Sequence, residues 1–288
     1  VLATEAPVII APAMDADMFA SPSTQRNVNT LVEDGAIIAG PANGRLASGL
    51  LGKGRLVETH VLEGLVRQAI GRHGDYSDRR VIVSAGGTRQ PIDPVRFISN
   101  RSTGKMGHRI AEAARDRGAD VLLVTASDLP HPSGVEVVKA MTVEEMRDAI
   151  VPSSSEADLL IMAAAISDFT PAQVSDQKIK KQGQPETSLK LVEVEDFMPL
   201  AKGRKLVKVA FAAETNNVEE NAKAKTTPKG AAFVVANDIS EPGSGFGTDT
   251  NRVTFVDSQG NTQQHPLMTK LNVGHAILDY ALPLLTKH

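Results

Sequence analysis

The sequence predicts an α/β fold built on a doubly wound, mostly parallel sheet, with binding sites at the C-terminal strand ends. Three observations predict it. Short β-branched runs alternate with segments of helical period. One run, ADLLIMAAA at 157–165, is apolar on both faces, as a central strand must be. And between a strand, RVIVSA at 80–85, and a helical pattern ending at Gly118 lies a long polar loop that enters its helix through Ser102-Thr103-Gly104. Helix starts carry unpaired N–H groups and the positive end of the dipole, so such a loop suits an anion. Arg101 and Lys105 add positive charge there. An ordinary crossover capped by Ser102 or Thr103 is the plainer alternative.

In chain order, PVIIAP at 7–12 reads as a short buried strand. A helix capped by Ser23 or Thr24 runs through Leu31 and Val32 and stops at Gly35. Ala36 to Ala39 is a second strand, followed by a glycine-punctuated loop, GPANGRLASGLLGKGRL. A helix fits 58–72, with Val61, Leu62, Leu65, Val66 and Ile70 on one face. The polar stretch GRHGDYSDRR at 71–80 marks a domain boundary and gives units of 1–75 and 76–288. After the 80–118 stretch come a strand at 120–126 and a helix to Ile150, opened by a Thr142/Glu145 capping box. Residues 170–188 are polar and lysine-rich, a mobile loop by composition. Strands follow at 206–211 and 231–236, with a helix from Asn216 stopped by Pro228 between them. A glycine-rich loop, EPGSGFG, leads to a strand at 252–257, and a helix at 269–287 closes the chain.

Composition narrows the function classes. The chain has 288 residues, of which 41% are hydrophobic and 23% charged, as in an ordinary globular protein of one or two domains. A net charge of -3 argues against a general nucleic-acid binder. No apolar run is long enough for a membrane-spanning helix. Cysteine is absent, which removes disulfides, thiolate nucleophiles and cysteine metal sites and fits a cytoplasmic protein. With no Trp and 2 Tyr, a stacking surface for single strands is not expected. Val1-Leu2-Ala3-Thr4 reads like the interior of a domain, so chain upstream of it is expected.

The motifs leave several chemistries open. A dinucleotide site wants G-x-G-x-x-G directly after the strand and an acid roughly 20 residues on. Here the strand ends Ala85-Gly86-Gly87-Thr88, Gly104 and Gly107 come much later, and the second strand ends Val124-Thr125-Ala126 without an acid. An NAD(P)-dependent oxidoreductase is therefore the second reading. In AAAISDF at 163–169, small residues let a flat ligand approach the backbone, and Asp168 is either a base or sugar acceptor or a turn residue. Lys178-Ile179-Lys180-Lys181 can neutralise polyphosphate or simply face solvent. Phe211 ends a strand as core or as a stacking platform, and Glu214 is a ligand or a first-turn acid. Lys225 and Lys229 read as a C-terminal helix charge preference.

Taken together, AGGTRQPIDPVRFISNRSTGKMG, AAAISDF, KIKK, FAAETNN and VANDIS, in that order, make residues 80–288 resemble phosphopantothenate–cysteine ligases. The whole chain resembles the bifunctional family in which a flavin-dependent decarboxylase precedes that ligase. The resemblance implies a Rossmann-like three-layer fold, preceded by the C-terminal half of a flavodoxin-like or Rossmann-like flavoprotein domain. It implies coenzyme A biosynthesis: 4′-phosphopantothenate is joined to L-cysteine through an acyl-cytidylate made from CTP, with Mg²⁺. By the same resemblance, Asn100 lies against the acyl-cytidylate, where its amide can donate to an oxygen gaining charge, Lys178 is catalytic with it, and Arg96 binds substrate. Met162, Ala163, Ala164, Asp168, Lys178, Phe211, Lys225 and Lys229 contact CTP, as does the turn Glu195-Asp196-Phe197-Met198. That turn departs from the family pattern by lacking its Pro and a basic residue, while Asp196 is kept. In residues 1–75, Asp15 stands where the family has a substrate-binding Asn, and Ser48 where it has a proton-donating Cys. FMN belongs to that domain when it is complete. No decarboxylase activity is expected from this chain, and a non-catalytic assembly role is the alternative for residues 1–75. A homodimer through the ligase domain is expected, with larger homo-oligomers when the flavoprotein domain is complete.

Overall fold

The computed structural model describes residues 3–180, 187–214, 229–238 and 243–285. Eight strands form the central sheet: β1 Arg80–Ala85, β2 Asp120–Thr125, β3 Glu136–Lys139, β4 Leu159–Met162, β5 Val207–Glu214, β6 Phe233–Asp238, β7 Val253–Asp257 and β8 Thr262–Gln264. Their spatial order is β8-β7-β6-β5-β4-β1-β2-β3. Strands β1 to β6 are parallel and follow the doubly wound order 3-2-1-4-5-6, while β7 and β8 add antiparallel at one edge. The chain reverses direction across the sheet between β1 and β4, where Leu159 pairs with Val81 and Met162 with Ser84. That is where connections diverge to opposite faces and leave a crevice.

Strand periodicity divides the core in two. Val81, Val83 and Ala85 join Ile110, Ala114, Phe233, Phe255 and Ile277 on one face. Ile82 joins Leu122, Val124, Met146, Ile150, Leu160 and Val234 on the other. The first face is covered by α1 Lys105–Arg115 and α3 Lys270–Leu285, the second by α2 Val143–Ser153. The expected capping box of α2 is present: Glu145 N–H donates to Thr142 Oγ1 at 3.1 Å, and Thr142 N–H donates back to the Glu145 carboxylate at 3.2 Å.

Helix α1 lies unusually close to β1 because Gly107 faces it. A Cβ there would sit 2.5 Å from Ala85 Cβ and 2.6 Å from the Ser84 carbonyl oxygen. The Ser84 oxygen is backbone in a central strand and cannot yield. Gly107→Ala is expected to destabilise the protein by about 2 kcal/mol, the overpacking loss outweighing the gain in helix propensity. The check is a lower denaturant midpoint at constant slope. An unchanged midpoint would refute the close packing.

The strand over 36–39 shortens to Ile37–Ile38, which pairs in parallel with Ile9–Ile10. Helix Pro22–Glu33 begins earlier than its expected cap, because Pro22 fits the first helical position and Ser21 takes the cap position. The segment expected as a glycine-rich loop is instead a hairpin, Ala42–Arg45 against Leu51–Arg55. Its glycines admit the chain at 14–16: a Cβ on Gly54 would fall 2.1 Å from the Met14 carbonyl oxygen. Helix Thr59–Gly71 then packs against the end of α1, with Gly64 beside Arg115 and Gly71 beside the Asp116 carbonyl. Tyr76 is fully buried in the core of the central sheet and donates its hydroxyl to the Leu278 carbonyl at 2.6 Å.

Candidate functional site

The crevice is built by segments leaving the C-terminal ends of β1 and β4. Gly87 bridges Ala165 in parallel. Ala165 N–H donates to the Gly86 oxygen at 2.8 Å, and Thr88 N–H to the Ala165 oxygen at 3.2 Å. The two segments are also stitched through buried hydroxyls. Ser167 N–H donates to Thr88 Oγ1 at 2.9 Å and Ser167 Oγ to the Thr88 carbonyl at 3.2 Å. Neither Thr88 nor Ser167 was singled out from sequence, because a Ser or Thr after a strand reads as an ordinary turn residue.

Asn100 completes the join. Its Nδ2 donates to the carbonyl oxygens of Ala165 at 3.2 Å and Ile166 at 3.0 Å. Both amide hydrogens are thus engaged by the strand end rather than free to donate to a reacting oxygen as expected, and Oδ1 is the atom left to accept a hydrogen bond. The loop then turns at Gly104, whose φ of 86° favours glycine. A Cβ there would also meet Ser127 Cβ at 2.5 Å. Beneath this turn lies a cavity of about 110 Å³, lined by Ser102, Thr103, Gly104, Lys105, Met106, Ala163, Ala164, Ala165, Phe211, Asn237, Gly245, Phe246, Asn251 and Lys270.

This cavity brings together Ala163, Ala164 and Phe211 of the sequence-predicted residues. Met162 is buried in the core beneath them. Lys105 does not present a free charge at the loop mouth, as expected from sequence: its ammonium donates to the Gly247 carbonyl and the Asp249 carboxylate, both at 2.8 Å. That partner holds the Asp249 carboxyl below its ordinary pKa. Asn237 belongs to the VANDIS motif, whereas Asn251 and Lys270 carry no sequence signal for the site. The signal of those two is only spatial, since Asn251 and Lys270 lie on different elements.

The remaining predicted residues form two other groups. In the first, Asp93 has a fully buried side chain that accepts from Val95 N–H and Arg96 N–H, both at 2.9 Å, and from Ile179 N–H at 3.1 Å. The Arg96 guanidinium donates to the same carboxylate and also to the Ile179 carbonyl at 3.0 Å. These bonds, the one from Arg96 foremost, hold the Asp93 carboxyl well below the usual range. Lys178, exposed, is thereby placed one residue from a fixed point. The expectation that 170–188 is mobile throughout fails on its described flanks. Ser175 N–H donates to the Ile92 carbonyl at 3.0 Å, and Phe169–Pro171 pairs with Leu191–Glu193.

In the second group, Lys229 Nζ donates to Asp196 at 2.7 Å, and Asp196 also accepts from Met198 N–H at 2.9 Å. Glu195 and Asp168 are exposed. Phe197 and Met198 are core residues, 2% and 1% exposed, so their side chains are not available to a nucleotide as expected. Their apolar contacts with α2 and the sheet explain it. Lys225 and the helix expected from Asn216 lie outside the described residues. In the N-terminal segment, the two positions that depart from the family pattern meet: Ser48 Oγ donates to Asp15 Oδ1 at 2.6 Å.

Comparison with known proteins agrees with this architecture. The family model described as the DNA/pantothenate metabolism flavoprotein C-terminal domain matches residues 76–284. The chain belongs to this family. A flavoprotein model matches residues 1–71. A cysteine/cysteine sulfinic acid decarboxylase from an unknown prokaryotic organism is 41% identical over 295 residues, covering 98% of this chain and 81% of that protein. The coenzyme A biosynthesis bifunctional protein CoaBC of Bacillus subtilis (strain 168) is 40% identical over 283 residues, covering 96% and 70%. The crystal structure of the C-terminal domain of a CoaBC protein superposes with a TM-score of 0.63 at 32% identity, over 75% of this chain and 100% of that one. A Cab2 mutant in complex with phosphopantothenate-cysteine shares the fold, with a TM-score of 0.59 at 16% identity, over 79% of this chain and 92% of that one.

Proposed function

We propose that residues 76–288 act in coenzyme A biosynthesis as a CTP-dependent phosphopantothenate–cysteine ligase, with the domain division at 75/76. The observation that carries this reading is the closure of the Asn100 loop onto the Ala165–Ile166 strand end above the cavity. A carboxylate must be activated before an amine can displace anything from it. In the first step a carboxylate oxygen of 4′-phosphopantothenate bonds to the α-phosphorus of CTP, and the bond to pyrophosphate breaks. In the second, the cysteine amine bonds to the acyl carbon, CMP leaves, and the amine loses a proton.

The residues divide the work by position. The small side chains of Ala163 and Ala164 and the half-buried ring of Phe211 form a wall that a flat base can approach. Asp168, Lys178, Lys225, Lys229 and the turn 195–198, through its backbone and acids, supply polar contacts to CTP. Asn100 Oδ1 accepts from the incoming amine, because its Nδ2 hydrogens are engaged elsewhere. Arg96 faces substrate from its anchor on Asp93. Among the described residues no three His, Asp or Glu side chains converge to hold a metal. Mg²⁺, an oxygen-seeking ion that commonly binds through substrate phosphates, would supply charge neutralisation on the CTP polyphosphate.

No flavin step is proposed for residues 1–75. The side chains at the substrate-binding and proton-donor positions, Asp15 and Ser48, are bonded to each other, and a hydroxyl is a far weaker acid than a thiol. The expected homodimer is supported by apolar side chains exposed on two hairpins, Arg89–Pro91 with Phe97–Ser99 and Phe169–Pro171 with Leu191–Glu193: Phe97, Phe169, Leu191 and Val192 are 41% to 52% exposed. Among the described residues no helix is long and apolar enough to cross a membrane, and a cytoplasmic location is proposed. The oxidoreductase reading gains nothing from the tip of β2. The nearest acid, Asp128, is paired with Arg89 at 2.7 Å. The deciding experiment is pyrophosphate release from CTP. Release is expected only when 4′-phosphopantothenate is present, with phosphopantothenoylcysteine formed only when cysteine is added. Binding of NADPH with no release from CTP would overturn the ligase reading.

A further inference from the structure

Lys270 opens α3 and is 4% exposed. Its ammonium donates to the carbonyl oxygens of Gly245 at 2.9 Å and Thr248 at 2.6 Å. Among the described residues no carboxylate pairs with it. Asp249, on the same loop, is instead held by Lys105 and is largely exposed. One N–H of Lys270 remains, and the side chain lines the cavity below Gly104. Lys105, from α1, lines the same cavity. Burying an ammonium against carbonyl dipoles alone is costly, and a second cation nearby makes it more so. A site that tolerates both is built for an anion that completes the charge balance.

We propose that Lys270 is an anion-binding residue of this cavity, donating its remaining N–H to a phosphoryl oxygen. This deepens the ligase reading and rests on it. The two sources of that oxygen are the polyphosphate of CTP and the phosphomonoester of 4′-phosphopantothenate, and the test separates them. Desolvation, aided by Lys105, lowers the Lys270 pKa to about 8, while Asp249 opposes the shift. A bound anion favours the charged form and raises that value. Binding near pH 8 therefore takes up a proton. Affinity is highest below about pH 8 and falls as the pH rises above it.

The experiment is titration calorimetry of the full chain with inorganic pyrophosphate, CTP and 4′-phosphopantothenate, each in two buffers of different ionisation enthalpy. Lys270→Arg keeps a permanent charge, so the ligand's own ionisation, common to both proteins, cancels in the comparison. Wild type is expected to take up more protons than Lys270→Arg for CTP and pyrophosphate. Lys270→Met is expected to weaken both by about tenfold or more, as for a lost charged hydrogen bond. An excess seen only with 4′-phosphopantothenate assigns the phosphomonoester. If Lys270→Met does not fold, the comparison with Lys270→Arg decides alone. Equal proton uptake by wild type and Lys270→Arg for all three ligands, in a protein that still turns over CTP, overturns the Lys270 assignment and spares the ligase reading. A wild type that binds none of the three overturns both.

Discussion

Asn100→Asp is expected to lower ligase turnover by about 10²- to 10³-fold, in the range found when a positioned amide is lost from an active site. The geometry makes the substitution harsher than its size suggests. In the native protein Nδ2 bridges the Ala165 and Ile166 carbonyls. A carboxylate at that position has no hydrogen to offer, and its charge faces two carbonyl oxygens. The loop must withdraw from the strand end or the carboxyl must turn outward. Either response removes the group that receives the amine, whereas the cavity wall of Ala163, Ala164 and Phe211 lies on other elements and is untouched. CTP affinity should therefore stay within a few-fold, while acyl-cytidylate either forms slowly or accumulates when cysteine is added. Quenched single-turnover experiments with labelled CTP distinguish the two. A native rate of amide formation would exclude Asn100 from the chemistry. Asn100→Ala, which removes the donor without adding charge, should retain more activity than the Asp variant.

How much of this was legible beforehand depends on the range of the interactions. Five of the six parallel strands were readable because each is a short apolar run between helical patterns, and a central strand such as Leu159–Met162 needs apolar residues on both faces; the sixth, Glu136–Lys139, is a half-exposed edge strand with a charge at each end and shows no such run. The Thr142/Glu145 cap was readable because it lies within one turn. The small hairpins were not. Arg89–Pro91 with Phe97–Ser99 and Phe169–Pro171 with Leu191–Glu193 are short, carry prolines and lie partly exposed, so they show neither alternation nor a turn signature. The edge strand Thr262–Gln264 is wholly polar and exposed for a related reason, since it has solvent on one side. Motif order located Ala163, Ala164 and Asn100. It did not locate Lys270, which reads as a helix-surface lysine until the glycine loop from 243 closes over it. Nor did it show that Phe197 and Met198 face the core, because a motif records which residues occur and not which way they point.

Asp93 is the clearest case of an effect set by contacts distant in sequence. One buried carboxylate gathers Val95 N–H, Arg96 N–H, the Arg96 guanidinium and Ile179 N–H. It thereby fixes Arg96 and the backbone beside Lys178 with a single group, although 86 residues separate it from Ile179. Asp93→Asn keeps the volume but replaces one oxygen by NH₂. Whichever way the amide turns, two hydrogens face donors that need an acceptor. Arg96 and Lys178 are then released together, and catalytic efficiency should fall about 10²-fold, the scale expected for a misplacement of about 1 Å. A structural role alone would lower the melting temperature and leave activity per folded molecule intact. The proposed role instead predicts a raised KM for CTP, through Lys178, alongside slower turnover, through Arg96. It also predicts that Asp93→Asn combined with Arg96→Gln is scarcely worse than either alone, since both break one network. Acid titration gives an independent reading. The folded-state pKa of Asp93 is depressed, so its contribution is complete above the unfolded value of about 3.9 and is lost as the pH falls below it. Wild type should lose stability relative to Asp93→Asn below about pH 4, where the unfolded-state carboxyl takes up its proton. Additive losses in the double variant, with unchanged KM for CTP in Asp93→Asn, would dissolve the link between the clamp and the site.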